Sequence, residues 1–598
     1  KTLADAGLKL VLCTPTATPP RWMLDRWPDM LARDENGHVR RFGSRRHYCF
    51  SHEGYRGESA RIAGELARRY GRHPAVIAFQ IDNEYGCHDT TLSWSDAARE
   101  RFRRWLAEKH GTIAALNRRW GNVFWSMEYQ AFDQIELPHL TVTQPNPAHV
   151  LDFNRFSSDQ VIAFNRIQCD AMRPHTDCPL LHNYMGRITG FDHFALGRDL
   201  DIATWDSYPL GFLDDRSGRP QDFRDRFLRQ GDPDFQAFHH DLYRSVGRGR
   251  MWVMEQQPGP VNWAPHTPAP APGMVRLWTL EAIAHGAEIV SYFRWRQLPF
   301  GQEQMHAGLK RPDNSPASVL AELAPLADEL RDLAHDDAPD ARIALVMDYP
   351  SAWGWQALPN RTGATQQNAT DGFDYFSLVY DFYCALRQMG QTIDIISPEC
   401  TDLSAYCCVI APALMHLPEP FARALAGVRG PVLVGPRAAF RTADMHIPDG
   451  LPPSVPWLDC RITHVESLPA NAPVPLEGAG SFQYWFEHVH TRMPVQIRTK
   501  EGAVALTGHN DRYYLAGWPD APALCDILIR LLSPLPLTIQ NMPEGLRLLD
   551  THHFRYLFNY AATQRTWNGR TFPPASVTRM PRHPARSSSR SGQGETHS

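Results

Sequence analysis

The stretch Trp252-Val253-Met254-Glu255-Gln256-Gln257-Pro258-Gly259-Pro260-Val261-Asn262-Trp263 decides the fold, because a short apolar run ends on a carboxylate and amide and aromatic side chains follow at once. A barrel enzyme carries its reacting groups in this way, at the C-terminal ends of buried strands. An earlier run, Val76-Ile77-Ala78-Phe79-Gln80-Ile81-Asp82-Asn83-Glu84-Tyr85-Gly86, ends in the same manner. Two glutamates at two strand ends are what glycoside hydrolysis requires, one as nucleophile and one as proton donor. The competing reading is a pair of salt-bridged strand ends. Asp82 is the nearest rival carboxylate, but strand alternation points it away from Glu84.

Working outward, six apolar runs alternate with amphipathic stretches: Leu8 to Pro15, Val76 to Glu84, Leu180 to Gly186, Asp201 to Pro209, Met251 to Gln256 and Glu288 to Arg296. Helices are expected at Ser95 to His110, Asp152 to Arg173 and Gly273 to His285, which is the alternation of a parallel α/β fold. A (β/α)8 TIM barrel takes about 250 residues and needs two more strands. The expectation is therefore a barrel lacking its first two strands over residues 1–335, with Lys1 to Gly7 as the end of a helix and 85–150 as a long insertion.

A second alternation begins at Ala341 to Tyr349 and runs through a helix at Phe373 to Met389, strands at Thr392 to Ile396 and Cys407 to Ala411, a helix near Pro418 to Ala426 and a strand at Pro431 to Gly435. It predicts a doubly wound α/β domain over 336–540. It has no phosphate-cradling glycine loop, so no cofactor is expected there. Runs at Leu546 to Leu549 and Phe554 to Phe558 predict a small C-terminal β domain, 541–572. The Pro/Arg/Ser/Gly-rich remainder, 573–598, reads as a disordered tail.

With 598 residues, 61 basic against 65 acidic side chains and a net charge of -4, nothing suggests a nucleic-acid or anionic-membrane partner. The 17 Trp, 19 Tyr and 28 Phe suit stacking on sugar faces, although most must serve packing. Eleven Cys without a C-x-x-C pair read as reduced thiols. There is no apolar run of about 18 residues, and a signal peptide pattern is missing from the start, so the expectation is a cytoplasmic chain with no membrane partner.

The segments RRHYCFS (45–51), NEYGCHD (83–89), WDSYPLG (205–211), MEQQPGPVNWAP (254–265) and FRWRQLPFGQEQMHAGL (293–309) resemble the beta-galactosidases of glycoside hydrolase family 42. The resemblance runs from Lys1 to about Tyr560. It implies a barrel, a trimerisation domain and a small C-terminal β domain in a homotrimer acting on β-galactosides. Carried over motif by motif, it makes Glu84 the proton donor and Glu255 the nucleophile. Asn83 then meets the sugar 2-hydroxyl, Arg45 binds substrate, Trp263 faces the sugar, and Glu303 with His306 binds galactose hydroxyls. Trp125 belongs to the same wall.

Three departures from the family pattern stand out. Some members hold a structural zinc on cysteines after the NEYGCHD segment, but here Thr91 to Ala98 carries none. Cys49, Cys87 and His88 fall short of four ligands, so no metal is expected. The barrel is expected to lack its first two strands, and the tail diverges from the family pattern after about Tyr560. The implied activity is removal of terminal β-D-galactose with retention, without a cofactor. Its rivals are an α-L-arabinopyranosidase or β-D-fucosidase, and an inactive truncated trimerising fragment.

Overall fold

The computed structural model describes residues 2–331, 333, 337–358 and 374–582. Six strands, β1 (Leu10–Cys13), β2 (Val76–Gln80), β3 (Leu180–Met185), β4 (Ile202–Ser207), β5 (Met251–Gln256) and β6 (Ala287–Tyr292), form one parallel sheet in sequence order. Each follows one of the apolar runs. The inner strands β3 and β4 are buried at every position, whereas β1 and most of β6 are partly exposed. Burial on both faces makes central parallel strands near-continuously apolar. Among the described residues, β1 and β6 are each paired on one side only.

The crossover helices begin where capping chemistry places them. Pro147 occupies the first turn of Pro147–Met172, and the Asn146 side chain accepts the Ala148 N–H at 2.9 Å. Ser95 caps Asp96–His110 on Ala98 N–H, and Gly111, at φ +73°, ends it. The long helix Pro147–Met172 packs along Glu53–Tyr70, and the insertion helices Asp96–His110 and Ile113–Trp120 pack against it in turn.

A second sheet holds β7 (Ile343–Val346), β8 (Ile393–Ile396), β9 (Cys408–Ala411) and β10 (Val432–Val434) in the parallel order β8-β7-β9-β10. Arg512–Leu515 adds to β10 in parallel, and Val504–His509 and Val495–Arg498 continue it antiparallel. The same region carries a separate antiparallel sheet built on Cys460–Ser467 and Ser481–Thr491, which the sequence reading did not resolve. The expected helix from Phe373 is described from Tyr375 to Gln388, Phe373 itself lying outside the described residues.

This domain packs against the barrel through aromatic contacts, with Phe238 on Phe376 at 5.2 Å between ring centroids. Buried ion pairs add to the joint. Arg387 reaches Glu281 at 3.2 Å, while Arg547, on the C-terminal strand Leu546–Asp550, ties that last domain to the barrel by two bonds to Asp234 at 2.7 Å each. Pairs of this kind cost more to break than they add, because a lone buried charge is left behind.

The tail expectation needs correction. Ser576–Pro581 is a strand paired with Phe554–Asn559 along six residues. The strand is short and partly exposed along its length, so its composition carried no periodic signal against the flanking Pro and Arg. Residues 583–598 of the expected tail lie outside the described residues. No helix among the described residues is long and apolar enough to cross a membrane.

Candidate active site

The site lies at the C-terminal rim of the first sheet, where β2, β4, β5 and β6 end. After Gln80 the chain leaves β2 in a tight path in which Asp82 has φ +56° and Glu84 φ +45°. Non-glycine residues reach this region only when their surroundings hold them there, and such positions concentrate at active sites. Here the holding group is His182. Its Nε2 accepts the Tyr85 N–H at 3.1 Å, so its Nδ1 carries the proton and donates to Ile81 O at 2.8 Å. Burial pushes the His182 pKa down to about 3, which keeps that neutral tautomer in place.

Glu84 is buried, with the Arg45 guanidinium 2.7 Å from its Oε2 and Asn83 donating to the same oxygen at 3.0 Å. Burial works against the Arg45 charge, but Glu84, Cys87, Glu255 and Glu303 together hold its pKa above the ordinary value. Asp82 does not enter the cleft. It is wholly buried and bonded by Thr16, Arg46 and Tyr48.

Glu255, near the end of β5, is half-buried and accepts a hydrogen bond from the Tyr208 hydroxyl. One carboxylate oxygen from each of Glu84, Asp206 and Glu255 lies within 4.8 Å of the others. Asp206 was not singled out from the sequence, although it sits in the WDSYPLG segment and pairs with Glu255 across β4 and β5. Burial, and then Glu255 and Glu84, push its pKa well above the carboxylate range. It accepts a hydrogen bond from Asn183 Nδ2 at 2.7 Å.

Asn183, also missed, joins the elements. Its Nδ2 donates to Asn83 Oδ1 at 2.9 Å, and its Oδ1 accepts from Gln80 at 2.9 Å and from the Glu84 N–H at 3.2 Å. A polar residue inside the apolar run Leu180 to Met185 was the available signal, since a buried amide must find partners.

The remaining predicted residues line the same rim, with one exception. Trp263 meets Tyr208 edge-on at 5.6 Å, and His306 meets the same ring at 5.6 Å. Burial lowers the His306 pKa. Glu303 pairs with Arg294. Trp125 does not join them: it is 70% exposed on the turn Phe124–Ser126, with its ring against Phe124 at 4.7 Å. The turn belongs to the long insertion, whose path the resemblance did not supply.

Gly211 fixes the Trp263 ring. A Cβ at 211 would stand 2.5 Å from Trp263 Cη2, so Gly211→Ala must displace the indole. The expected cost is about 1 to 3 kcal/mol, a roughly fivefold to hundredfold loss of kcat/KM carried mainly by KM. Steady-state kinetics with an unchanged KM would show that the indole does not contact substrate.

Burial, then Glu84, push the Glu255 pKa up to about 8, against the Tyr208 bond and Arg45. The folded value lies above the ordinary 4.5, so the native chain keeps a proton that the unfolded chain has lost. The stability due to this proton is complete below the unfolded pKa and is lost as pH rises through the folded one. Glu255→Gln cannot ionise. Its Tm relative to the parent chain should rise steadily from about pH 5 to about pH 8 in thermal melts, and a constant difference would contradict the assignment.

Residues 1–333 match the sequence profile of the family described as beta-galactosidase, and residues 341–537 match that of the beta-galactosidase trimerisation domain. The beta-galactosidase of Thermus thermophilus is 49% identical over 565 residues, spanning 94% of this chain and 86% of that protein. Beta-galactosidase Bga of Halorubrum lacusprofundi is 42% identical over 504 residues, spanning 83% and 70%. The crystal structure of beta-galactosidase from the psychrophilic Marinomonas ef1 superposes with a TM-score of 0.90 at 45% identity, covering 95% of this chain and 87% of that one.

Proposed function

This chain belongs to glycoside hydrolase family 42, the beta-galactosidases, and we propose that it removes terminal β-D-galactose with retention, through a galactosyl intermediate on Glu255. The observation that carries the proposal is the approach of the Glu84 and Glu255 carboxylate oxygens to within 4.8 Å. Retaining enzymes hold their two carboxyl groups about 5 to 5.5 Å apart, whereas inverting enzymes leave about 6.5 to 9.5 Å for a water molecule.

Glu255 attacks the anomeric carbon while Glu84 protonates the departing oxygen, and Glu84 then takes the proton from the incoming water. Tyr208, whose own pKa burial and Glu255 hold well above the ordinary value, stays protonated and steadies the attacking carboxylate by its hydrogen bond. In the resting site burial and Glu84 favour the protonated form of Glu255, while Arg45 faces Glu84, and the reaction draws on the microstate in which Glu255 is ionised and Glu84 holds the proton it will donate. Positive charge growing at the anomeric carbon favours that microstate, since it stabilises the Glu255 carboxylate.

Arg45, Asn83, Glu303 and His306 supply charged and polar partners for sugar hydroxyls, and Trp263 offers an aromatic face to the apolar side of the ring. The match of 341–537 to a trimerisation domain supports a homotrimer.

Release of nitrophenol from p-nitrophenyl β-D-galactopyranoside tests the reading, with the α-L-arabinopyranoside and β-D-fucoside run beside it. These two differ from the galactoside only at the sixth carbon. A higher kcat/KM for galactoside supports the proposal. Preference for either alternative reassigns the sugar, and no turnover of any of the three overturns the hydrolase reading for this chain.

A further inference from the structure

Two groups of metal-ligating side chains converge among the described residues. One is the carboxylate site above; the other is His464, Glu466 and His488, far from it in sequence and on a different sheet. They stand on the antiparallel strands Cys460–Ser467 and Ser481–Thr491, where His464 lies directly opposite His488. Directly opposed residues share a face, and Glu466, two residues beyond His464, shares it too. One donor atom from each lies within 4.8 Å of the others.

The hydrogen bonds around the group leave a lone pair for a ligand. The Thr463 hydroxyl donates to His488 O at 3.1 Å, so its oxygen is free to accept from His464 Nδ1–H at 3.2 Å. That bond puts the His464 proton on Nδ1 and the lone pair on Nε2, as an oriented metal-binding imidazole requires. His488 Nε2 faces the Glu466 carboxylate directly. The two imidazoles stack at 3.8 Å between centroids and 14° between planes, so one ring turns about its side-chain bonds for both in-plane lone pairs to reach a common ion. Phe486 packs on the His488 ring at 4.6 Å and limits its movement.

Two imidazoles and one carboxylate form a donor set that suits zinc and its neighbours better than calcium or magnesium. From this geometry we propose that His464, Glu466 and His488 bind a divalent transition-metal ion, with zinc the best match, as a clip across the two strands. The ion takes the place of the direct His488–Glu466 contact and accepts the Nε2 lone pair of His464. Glu466 is 51% exposed and His488 29% by side chain, so the remaining coordination positions open to water.

The test is titration of EDTA-treated full-length chain with Zn2+ by calorimetry, for the parent and for His464→Ala and His488→Ala, with thermal melts of each. The expected result is at least about tenfold weaker binding in each variant, together with loss of the zinc-dependent rise in Tm, while galactoside hydrolysis without added metal is unchanged. A second reading uses Co2+ on the parent chain. Its visible absorption should appear at one equivalent and be bleached by Zn2+. Equal Zn2+ affinity in the parent and both variants, which would point to the thiols or the carboxylate site, overturns the proposal, as does the absence of binding to the parent.

Discussion

Glu255→Ala is expected to lower kcat for an activated aryl β-D-galactoside by about 10⁴-fold or more, over about 5 kcal/mol of barrier. Without the carboxylate no glycosyl intermediate forms, and the partner acid has nothing to assist. The cavity left at the end of β5 admits a small anion. Added azide should restore turnover and release α-galactosyl azide, because it enters from the face that Glu255 occupied. A β product would mean that Glu255 is instead the acid. That alternative is a real one for this site, since burial and the neighbouring carboxylates raise the Glu255 pKa to about 8 in the resting state.

Glu84→Ala should separate its effect by leaving group. For alkyl galactosides, whose oxygen departs only with a proton, kcat/KM falls by about 10² to 10⁴. For a nitrophenyl galactoside the first step needs little acid help, so kcat/KM falls less and the second step, lacking its base, limits kcat. Azide then relieves that second step and gives the β-galactosyl product. The Arg45 guanidinium, 2.7 Å from Glu84, loses its partner in this variant. A uniform loss across leaving groups, with no azide effect, would make Glu84 a binding residue rather than the acid.

Much of the first sheet was legible because each of its strands is a short apolar run. Every one of the six runs holds a strand, within a few residues at each end. The two glutamates were legible for the same reason, as charged residues closing apolar runs. Asp206 and Asn183 were not, because a polar residue inside a buried strand looks the same in sequence whether it points into a cleft or satisfies its neighbours, and Tyr208, one residue past β4, carries no local sign that its hydroxyl meets Glu255. The stretch 460–519 was also opaque. Cys460–Ser467 is largely exposed, and the pairing of these strands depends on long-range register that no local pattern encodes.

By itself, then, the sequence determined the alternation of buried strands and helices, the positions of two strand-end carboxylates and the near-neutral charge that suits a neutral substrate, since these depend on local periodicity and composition. Only the tertiary structure decided which side chains meet. It brought Asp206 beside both glutamates, turned Asn183 toward Asn83 and the Glu84 backbone, left Trp125 in solvent and set His464 opposite His488. The physical reason is that such contacts join residues distant in sequence, whose distances and protonation follow from packing and burial that no local window of sequence contains.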